Sequence, residues 1–230
     1  MLANPGKFQR RAGLSGRQCG HQVGYTCPVS RHVVRPEIRR PAITTRSGPM
    51  ASTFYTIGHS TRSVAELAGL LQQVGANLVI DVRTIPRSRT NPQFNADTLP
   101  QSLSAWQIGY RHLRDLGGLR GRRKDQGPSP NTYWQNLSFR NYADYTATAP
   151  FRAELQELQD LGRTHVCAVM CAEAVWWRCH RRIITDYLIS EGERICHIMG
   201  PDKVELATLN PAAVRQHDGT LVYPAASGVA

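Results

Sequence analysis

Side chains that can do chemistry are concentrated in one short stretch of this chain, VCAVMCAEAVWWRCHRR, which runs from Val166 to Arg182. An apolar run opens the stretch, and a segment rich in polar groups follows it. The reactive residues are Cys171, Glu173, Cys179, His180 and Arg181. In α/β proteins, a buried strand followed by a polar loop and a helix start places reactive groups at one edge of a sheet. The sequence therefore predicts a functional site in this loop.

The two cysteines of the loop have several alternative roles. Cys179 would lie at the amino end of a helix, where the macrodipole and free N–H groups lower a thiol pKa, and His180 and Arg181 would lower it further. Cys171 is then a candidate nucleophile with Cys179 as its resolving partner. Together with His180 and His197 the cysteines could instead hold a metal, but a separation of seven residues is unusual for structural zinc, so no metal ligand is predicted. Simple burial is the remaining alternative.

Three further polar residues follow predicted strands. Glu173 is a candidate general acid or base, although it could instead cap its loop or pair with Arg181 or Arg83. Asp81 belongs to an otherwise apolar strand, so it must be paired or lie at the rim, with Arg83 as the nearest partner. His59 is either a base or an ordinary loop histidine. We treat Glu173, Asp81 and His59 as candidate catalytic residues alongside Cys171, Cys179 and His180.

Arginines near these positions are candidates for anion binding, because a guanidinium can hold phosphate oxygens with two parallel hydrogen bonds. The candidates are Arg83, Arg87, Arg89, Arg122, Arg123 and Arg181. Solvated surface charge is an equally economical explanation for them.

Apolar periodicity predicts an α/β fold with a mostly parallel sheet flanked by helices, a Rossmann-like three-layer sandwich. Predicted strands cover residues 53–58, 77–82, 110–116, 166–170 and 194–198. Predicted helices cover 63–74, 98–107, 139–146, 151–161 and 179–190, and polar loops cover 83–97 and 117–136. Since the carboxyl ends of parallel strands share one edge, His59, Asp81 and Cys171 are expected to converge there.

Charge and composition divide the chain into three parts. Residues 1–49 hold nine basic residues and one acid, which accounts for +8 of the net charge of +11, and their prolines and lack of period predict a disordered basic leader. The leader could be a transit peptide, a nucleic-acid-binding arm or sequence upstream of the true start. We favour the last, because regular patterning begins directly after Met50. The remainder predicts a single α/β domain at 50–214 and a loose tail at 215–230.

No run approaches the roughly 18 apolar residues of a membrane span, and no secretory signal is evident. The six cysteines are unevenly spaced, unlike a disulfide scaffold. These features predict reduced thiols, no membrane partner and a cytoplasmic location.

Five motifs, in this order, resemble the bacterial and archaeal domain-of-unknown-function family 488 (DUF488). They are YTIGHSTRS, VIDVRTIPRSRTNPQFN, IGYRHLRDLGGLRGRR, FRNYADYTATAPF and VMCAEAVWWRCHRRIITDYLISEG. The resemblance covers about residues 53–209, supports the predicted fold and a start at Met50, and implies no particular reaction. One departure is Trp176 and Trp177, where similar proteins have a short polar stretch; these side chains either cover the crevice or pack on the neighbouring helix.

Two functional hypotheses follow. The first is an enzyme that acts on a phosphate-bearing or nucleic-acid-derived substrate through Cys171, Glu173, Cys179 and His180, with the arginines holding the anion. The alternative is a non-catalytic nucleic-acid or anion-binding module with a structural Cys/His cluster. The sequence identifies neither a cofactor nor an oligomeric state.

Overall fold

Apolar strands and amphipathic helices alternate along the chain and form a six-stranded sheet with helices on both faces. The computed structural model describes residues 52–122 and 127–225. The predictions for residues 1–49, for Met50, for Arg123 and for residues 226–230 lie outside the described residues. The strands are β1 Thr53–Gly58, β2 Leu78–Asp81, β3 Gly109–His112, β4 Cys167–Cys171, β5 Arg194–Gly200, β6 Lys203–Leu206, β7 Val214–Arg215 and β8 Leu221–Val222. The α-helices are α1 Val64–Gln73, α2 Leu99–Ser104, α3 Leu137–Tyr145, α4 Ala149–Gly162 and α5 Arg181–Ser190.

The strand order is β3-β2-β4-β1-β5-β6, and every neighbouring pair is parallel except β5 with β6. One apolar cluster packs α1 and α2 against the sheet, and a second packs α3, α4 and α5 against its other face. The predicted mostly parallel α/β sheet flanked by helices is therefore confirmed. Strand β2 is buried along its whole length, as expected of a strand covered on both faces.

Local sequence signals explain where the first helix begins. The Ser63 hydroxyl accepts a hydrogen bond from the Glu66 amide at 3.1 Å, and the Glu66 carboxylate accepts one from the Ser63 amide at 2.6 Å. This capping box satisfies two of the amides that a helix start leaves free. The apolar face of α1 then buries Leu67, Leu70 and Leu71 against β1 and its neighbours.

The carboxyl-terminal segment differs from the predicted loose tail. Strands β7 and β8 form a hairpin, and Tyr223 is fully buried after it. The Tyr223 hydroxyl donates to Asp186 at 3.0 Å, and its amide donates to the Asn131 side chain at 2.8 Å. Two-residue strands carry no measurable period, so only these long-range contacts reveal that the segment is packed.

Within the described part of the chain, no helix has the length and apolar character required to cross a bilayer.

Candidate functional site

The carboxyl ends of β1, β2 and β4 meet at one edge of the sheet. Gly58 is in register with Cys171, and the backbones stay paired beyond the strands, since the His59 amide donates to the Cys171 carbonyl at 2.9 Å. On the other side of β4, the Val82 amide donates to the Met170 carbonyl at 3.0 Å. The polar groups that follow three separate strands therefore lie at a single rim, as expected from the sequence.

Cys171, Cys179 and His180 form a compact cluster at this rim. The Nδ1 atom of His180 lies 3.6 Å from the Cys179 sulfur and 4.0 Å from the Cys171 sulfur. The Nε2 atom of His180 lies 3.0 Å from the Val82 carbonyl oxygen, which can only accept a hydrogen bond. Nε2 therefore carries a proton, and Nδ1 faces both sulfurs, where it can donate to a thiolate when the ring holds a second proton.

Packing fixes the orientation of the His180 ring. Tyr142 meets the ring edge to face at 5.1 Å, and its hydroxyl donates to the Leu116 carbonyl at 2.6 Å. On another side, Gly118 approaches so closely that an added Cβ would lie 2.5 Å from Nδ1. Only a residue without a side chain allows this loop to pass the ring.

Arg181 is a buried cation beside Cys179. Its side chain is 1% exposed, its Nε donates to the Cys179 sulfur at 3.4 Å, and a terminal nitrogen donates to the Glu173 carbonyl at 2.6 Å. Among the described residues no carboxylate lies within ion-pair distance of this guanidinium. Because a buried charge requires a counter-charge, the Cys179 thiolate is the anion that this arrangement favours.

The two thiols share one proton unequally. A hydrogen bond from the Cys171 thiol lowers the pKa of Cys179 well below its ordinary value of 9.0, and His180 and Arg181 lower it further. That same hydrogen bond, together with burial, raises the pKa of Cys171 well above 9.0. These contacts therefore favour Cys179 over Cys171 as the cysteine that carries a negative charge.

A cavity of about 330 Å³ opens onto the cluster. Its wall includes Cys171, Cys179 and His180, and its apolar lining comes from Ile85, Leu119, Phe139 and Tyr142. Glu173 and Arg178 also line it, and both are exposed. The cavity therefore has an apolar body, a charged pair at the solvent side and thiols within reach.

Asp81 is paired, as the sequence predicted, and its partner is Arg83. The Asp81 carboxylate accepts hydrogen bonds from the Arg83 side chain at 2.5, 2.9 and 3.1 Å and from the Tyr110 hydroxyl at 2.7 Å. Arg83 also donates to the Phe94 carbonyl at 2.6 Å. With its oxygens occupied in this way, Asp81 orients its neighbours and has no lone pair facing the cavity, which favours a structural role over catalysis.

His59 belongs to the same network. Its Nε2 lies 3.2 Å from an Arg83 nitrogen, its Nδ1 lies 2.9 Å from the Ser60 carbonyl oxygen, and its ring stacks on Phe94 at 4.1 Å. Both ring nitrogens are thus occupied, and burial lowers the pKa of His59 to about 4. These contacts favour a neutral structural histidine over a base.

The arginines predicted to bind an anion lie in different places and have different partners. Arg83 is held by Asp81, and Arg181 is buried beside Cys179. Arg87 is exposed and lies 3.8 Å from Asp97, whereas Arg89 and Arg122 are exposed and do not line the cavity of the thiols. The cation that lines that cavity with Arg83 is Arg178, which sequence reasoning missed. Its position in the reactive loop, one residue before Cys179, was the available signal.

The cluster also has the donor set of a metal site. The ligand atoms of Cys171, Cys179 and His180 lie within 4.8 Å of one another. Ideal tetrahedral zinc coordination places sulfur and nitrogen ligands about 3.6 Å apart, and a ligating histidine commonly donates its other nitrogen to a carbonyl, as His180 does. His197, considered a fourth ligand from the sequence, lies outside the cluster and instead contacts Thr56.

Two buried histidines, His59 and His197, should titrate near pH 4 instead of their ordinary 6.5, because burial lowers the pKa of each to about 4. Between pH 6.5 and 4 the unfolded chain then binds protons that the folded chain does not, so the free energy of unfolding falls with acidification. Asp186, whose pKa burial raises from 3.8 to about 6, offsets part of this loss. Ring-proton NMR shifts followed against pH measure both values, and a midpoint near 6.5 for either ring would contradict its burial as a neutral group.

The fold and the cluster define an α/β protein with a cysteine pair and a histidine at the carboxyl edge of a mostly parallel sheet. The family model described as "Domain of unknown function DUF488" matches residues 63–188, and the chain belongs to this family. The resemblance found in the sequence motifs is thereby confirmed. No curated protein and no solved structure matches the chain.

Proposed function

We propose that this protein is a thiol-dependent enzyme that acts on a small phosphate-bearing molecule with an apolar body. The contact between buried Arg181 and the Cys179 sulfur carries this proposal, because it favours a thiolate at neutral pH where thiols are normally protonated. The cavity beside the thiolate is large enough for a small organic molecule.

The proposed reaction is a two-step hydrolysis. The Cys179 sulfur attacks phosphorus, the bond from phosphorus to the leaving oxygen breaks, and Glu173 gives that oxygen a proton. Water then attacks the phosphocysteine, Glu173 takes a proton from the water, and phosphate leaves with the thiolate restored. Arg178 holds the phosphate oxygens at the solvent side of the cavity.

Site-resolved alkylation with iodoacetamide at neutral pH tests the thiolate. Cys179 or its partner Cys171 should react at least about tenfold faster than Cys167, which is fully buried and whose pKa burial raises to about 12. Equal rates at all three positions would contradict an activated thiol.

Hydrolysis of para-nitrophenyl phosphate tests the reaction itself. Cys179→Ser should abolish turnover, and Arg178→Gln should raise KM about tenfold, because it removes a charged hydrogen bond to phosphate. Arg89→Gln is the matched control, since Arg89 is exposed and does not line the cavity. An equal effect of the two arginine changes would contradict the proposed role of Arg178.

The second candidate function is a metal centre formed by Cys171, Cys179 and His180. Two observations favour it: the spacing of the three ligand atoms, and the hydrogen bond between His180 Nε2 and the Val82 carbonyl. Metal analysis of purified protein beginning at Met50 distinguishes the two. One bound zinc per chain that protects both cysteines from alkylation would replace the thiolate proposal.

A non-catalytic nucleic-acid module would instead show a steeply salt-dependent affinity for DNA or RNA that survives Cys→Ala changes.

A further inference from the structure

A small cavity of about 80 Å³ lies between α5, β5 and the segment that follows β6. The residues that line it include Trp176, Arg182, Thr185, Asp186, His197 and Asn210. None of them lines the cavity of the thiols.

Unpartnered polar atoms concentrate around this cavity. Six buried side-chain nitrogen or oxygen atoms lack a hydrogen-bond partner in the described part of the chain, and four belong to residues that line it. These atoms are Trp176 Nε1, Thr185 Oγ1, His197 Nε2 and Asn210 Nδ2. The side chains of Thr185, His197 and Asn210 are between 2% and 4% exposed. Folded proteins rarely leave buried polar groups unsatisfied, so four at one cavity indicate an occupant.

Three of these four atoms, those of Trp176, His197 and Asn210, are hydrogen-bond donors. The indole nitrogen of Trp176 can only donate. The Oδ1 atom of Asn210 accepts from the Ala212 amide at 3.0 Å, which fixes the NH₂ group as the unpartnered end. An occupant must therefore supply acceptors to these two side chains.

His197 is the third donor. Arg181 donates to the Thr56 hydroxyl oxygen at 3.4 Å, and that hydroxyl lies 2.7 Å from His197 Nδ1. Among the described residues, Nδ1 of His197 is the one acceptor within reach of the Thr56 hydroxyl proton, so the histidine proton is assigned to Nε2. The ring also stacks on Trp176 at 4.3 Å, which holds the two donors side by side.

One basic and one acidic residue line the cavity. Arg182 is one of the lining residues, and its guanidinium lies over the Trp134 ring, 5.0 Å from the ring centroid. Asp186 also lines it, but its oxygens accept from the Asn210 amide at 2.9 Å and from the Tyr223 hydroxyl at 3.0 Å. Each oxygen of this carboxylate thus has one partner, whereas the donors of Trp176, His197 and Asn210 have none among the described residues.

We propose that this cavity binds a small oxyanion, either inorganic phosphate or the carboxylate group of a small acid. A volume of about 80 Å³ holds two or three waters, at roughly 30 Å³ each, or one such anion, and it excludes a nucleotide. The site is separate from the proposed reaction, so either proposal can fail without the other.

Calorimetric titration of the full chain with sodium phosphate and with sodium acetate tests this site, with sodium chloride at equal ionic strength as the reference. Saturable binding of phosphate alone identifies the tetrahedral ion, and binding of acetate alone identifies a carboxylate. Trp176→Phe keeps a ring beside His197 and removes one donor, so it should weaken binding about tenfold. Trp177→Phe is the matched control, because Trp177 is 46% exposed and does not line the cavity.

Thr185→Val serves as an independent variant, since it replaces the hydroxyl with a methyl group of similar shape. It should weaken binding several-fold if the hydroxyl contacts the anion. Absence of saturable binding beyond chloride, or equal affinities for the proteins with Trp176→Phe and Trp177→Phe, would overturn the proposal and identify the occupant as water.

Discussion

Cys179→Ala should lower the free energy of unfolding by about 3 to 5 kcal/mol, the usual cost of leaving a buried charge without its partner. The substitution removes the sulfur that accepts from Arg181 Nε at 3.4 Å, and the guanidinium is only 1% exposed, so water cannot replace the lost anion. Chemical denaturation at neutral pH measures the change. No other substitution of a cysteine in this site should cost as much.

Cys171→Ala is the matched control for this prediction. Cys171 is partly buried and holds a proton that it donates to Cys179, so its loss should cost only about 1 kcal/mol. Adding Arg181→Met to Cys179→Ala should recover much of the stability, because the uncompensated charge is then gone. Similar costs for the two alanine changes, with a further loss on adding Arg181→Met, would show that Cys179 is not the counter-ion of Arg181.

Gly118→Ala should reduce the alkylation rate of the cysteine pair at least about tenfold and cost about 1 to 3 kcal/mol of stability. The added Cβ would lie 2.5 Å from Nδ1 and 2.6 Å from Cγ of His180, closer than non-bonded atoms approach. The ring cannot yield freely, because its Nε2 donates to Val82 at 3.0 Å and Tyr142 packs against it. Its displacement would move Nδ1 away from both sulfurs.

Gly121→Ala, in the same loop, provides the control, since no heavy atom lies within 4 Å of its added Cβ. Its stability should change by less than about 0.5 kcal/mol and its alkylation rate should stay the same. Gly58→Ala should destabilise the protein more than Gly118→Ala does. Its Cβ would overlap the Glu173 carbonyl oxygen, which belongs to the backbone and cannot rotate away. If Gly118→Ala behaves like Gly121→Ala, the loop does not hold His180.

The strand and helix pattern was predictable because periodicity and capping are local properties of the sequence. Strand β1 has the predicted limits Thr53–Gly58, and the capping box at Ser63 opens α1. Strand β6 was not predicted, since its residues are mostly exposed at the sheet edge and show no clean alternation. Its pairing with β5 depends on a turn and on backbone hydrogen bonds that composition does not encode.

The residues that meet at the candidate site could be predicted where the strand topology alone determines their position. Parallel strands bring Cys171, Asp81 and His59 to one edge, and the pairing of Asp81 with Arg83 follows from the cost of burying a lone carboxylate. The burial of Arg181 was not predictable, because a charged residue at a helix start is normally solvated. An ion pair with Arg181 was one of the alternatives for Glu173, and the contact found is a hydrogen bond from Arg181 to the Glu173 backbone carbonyl.

The positions of the loop arginine side chains could not be predicted from the sequence. Arg87, Arg89 and Arg122 are close to the site in sequence, but a loop sequence does not specify the direction of its side chains, and all three are exposed. The tryptophans show the same limit, since Trp176 stacks on His197 of β5 while Trp177 is exposed. Tertiary packing, which periodicity cannot report, decides between such alternatives.

A pH titration of ultraviolet thiolate absorbance, taken as the difference between the protein and its Cys179→Ser variant, tests the thiolate of Cys179 most directly. We expect the thiolate signal of Cys179 to appear well below the pH range of an ordinary thiol, since the hydrogen bond from Cys171 lowers its pKa well below 9.0. A difference signal that emerges only near pH 9 or above would show an ordinary thiol and contradict the proposed nucleophile.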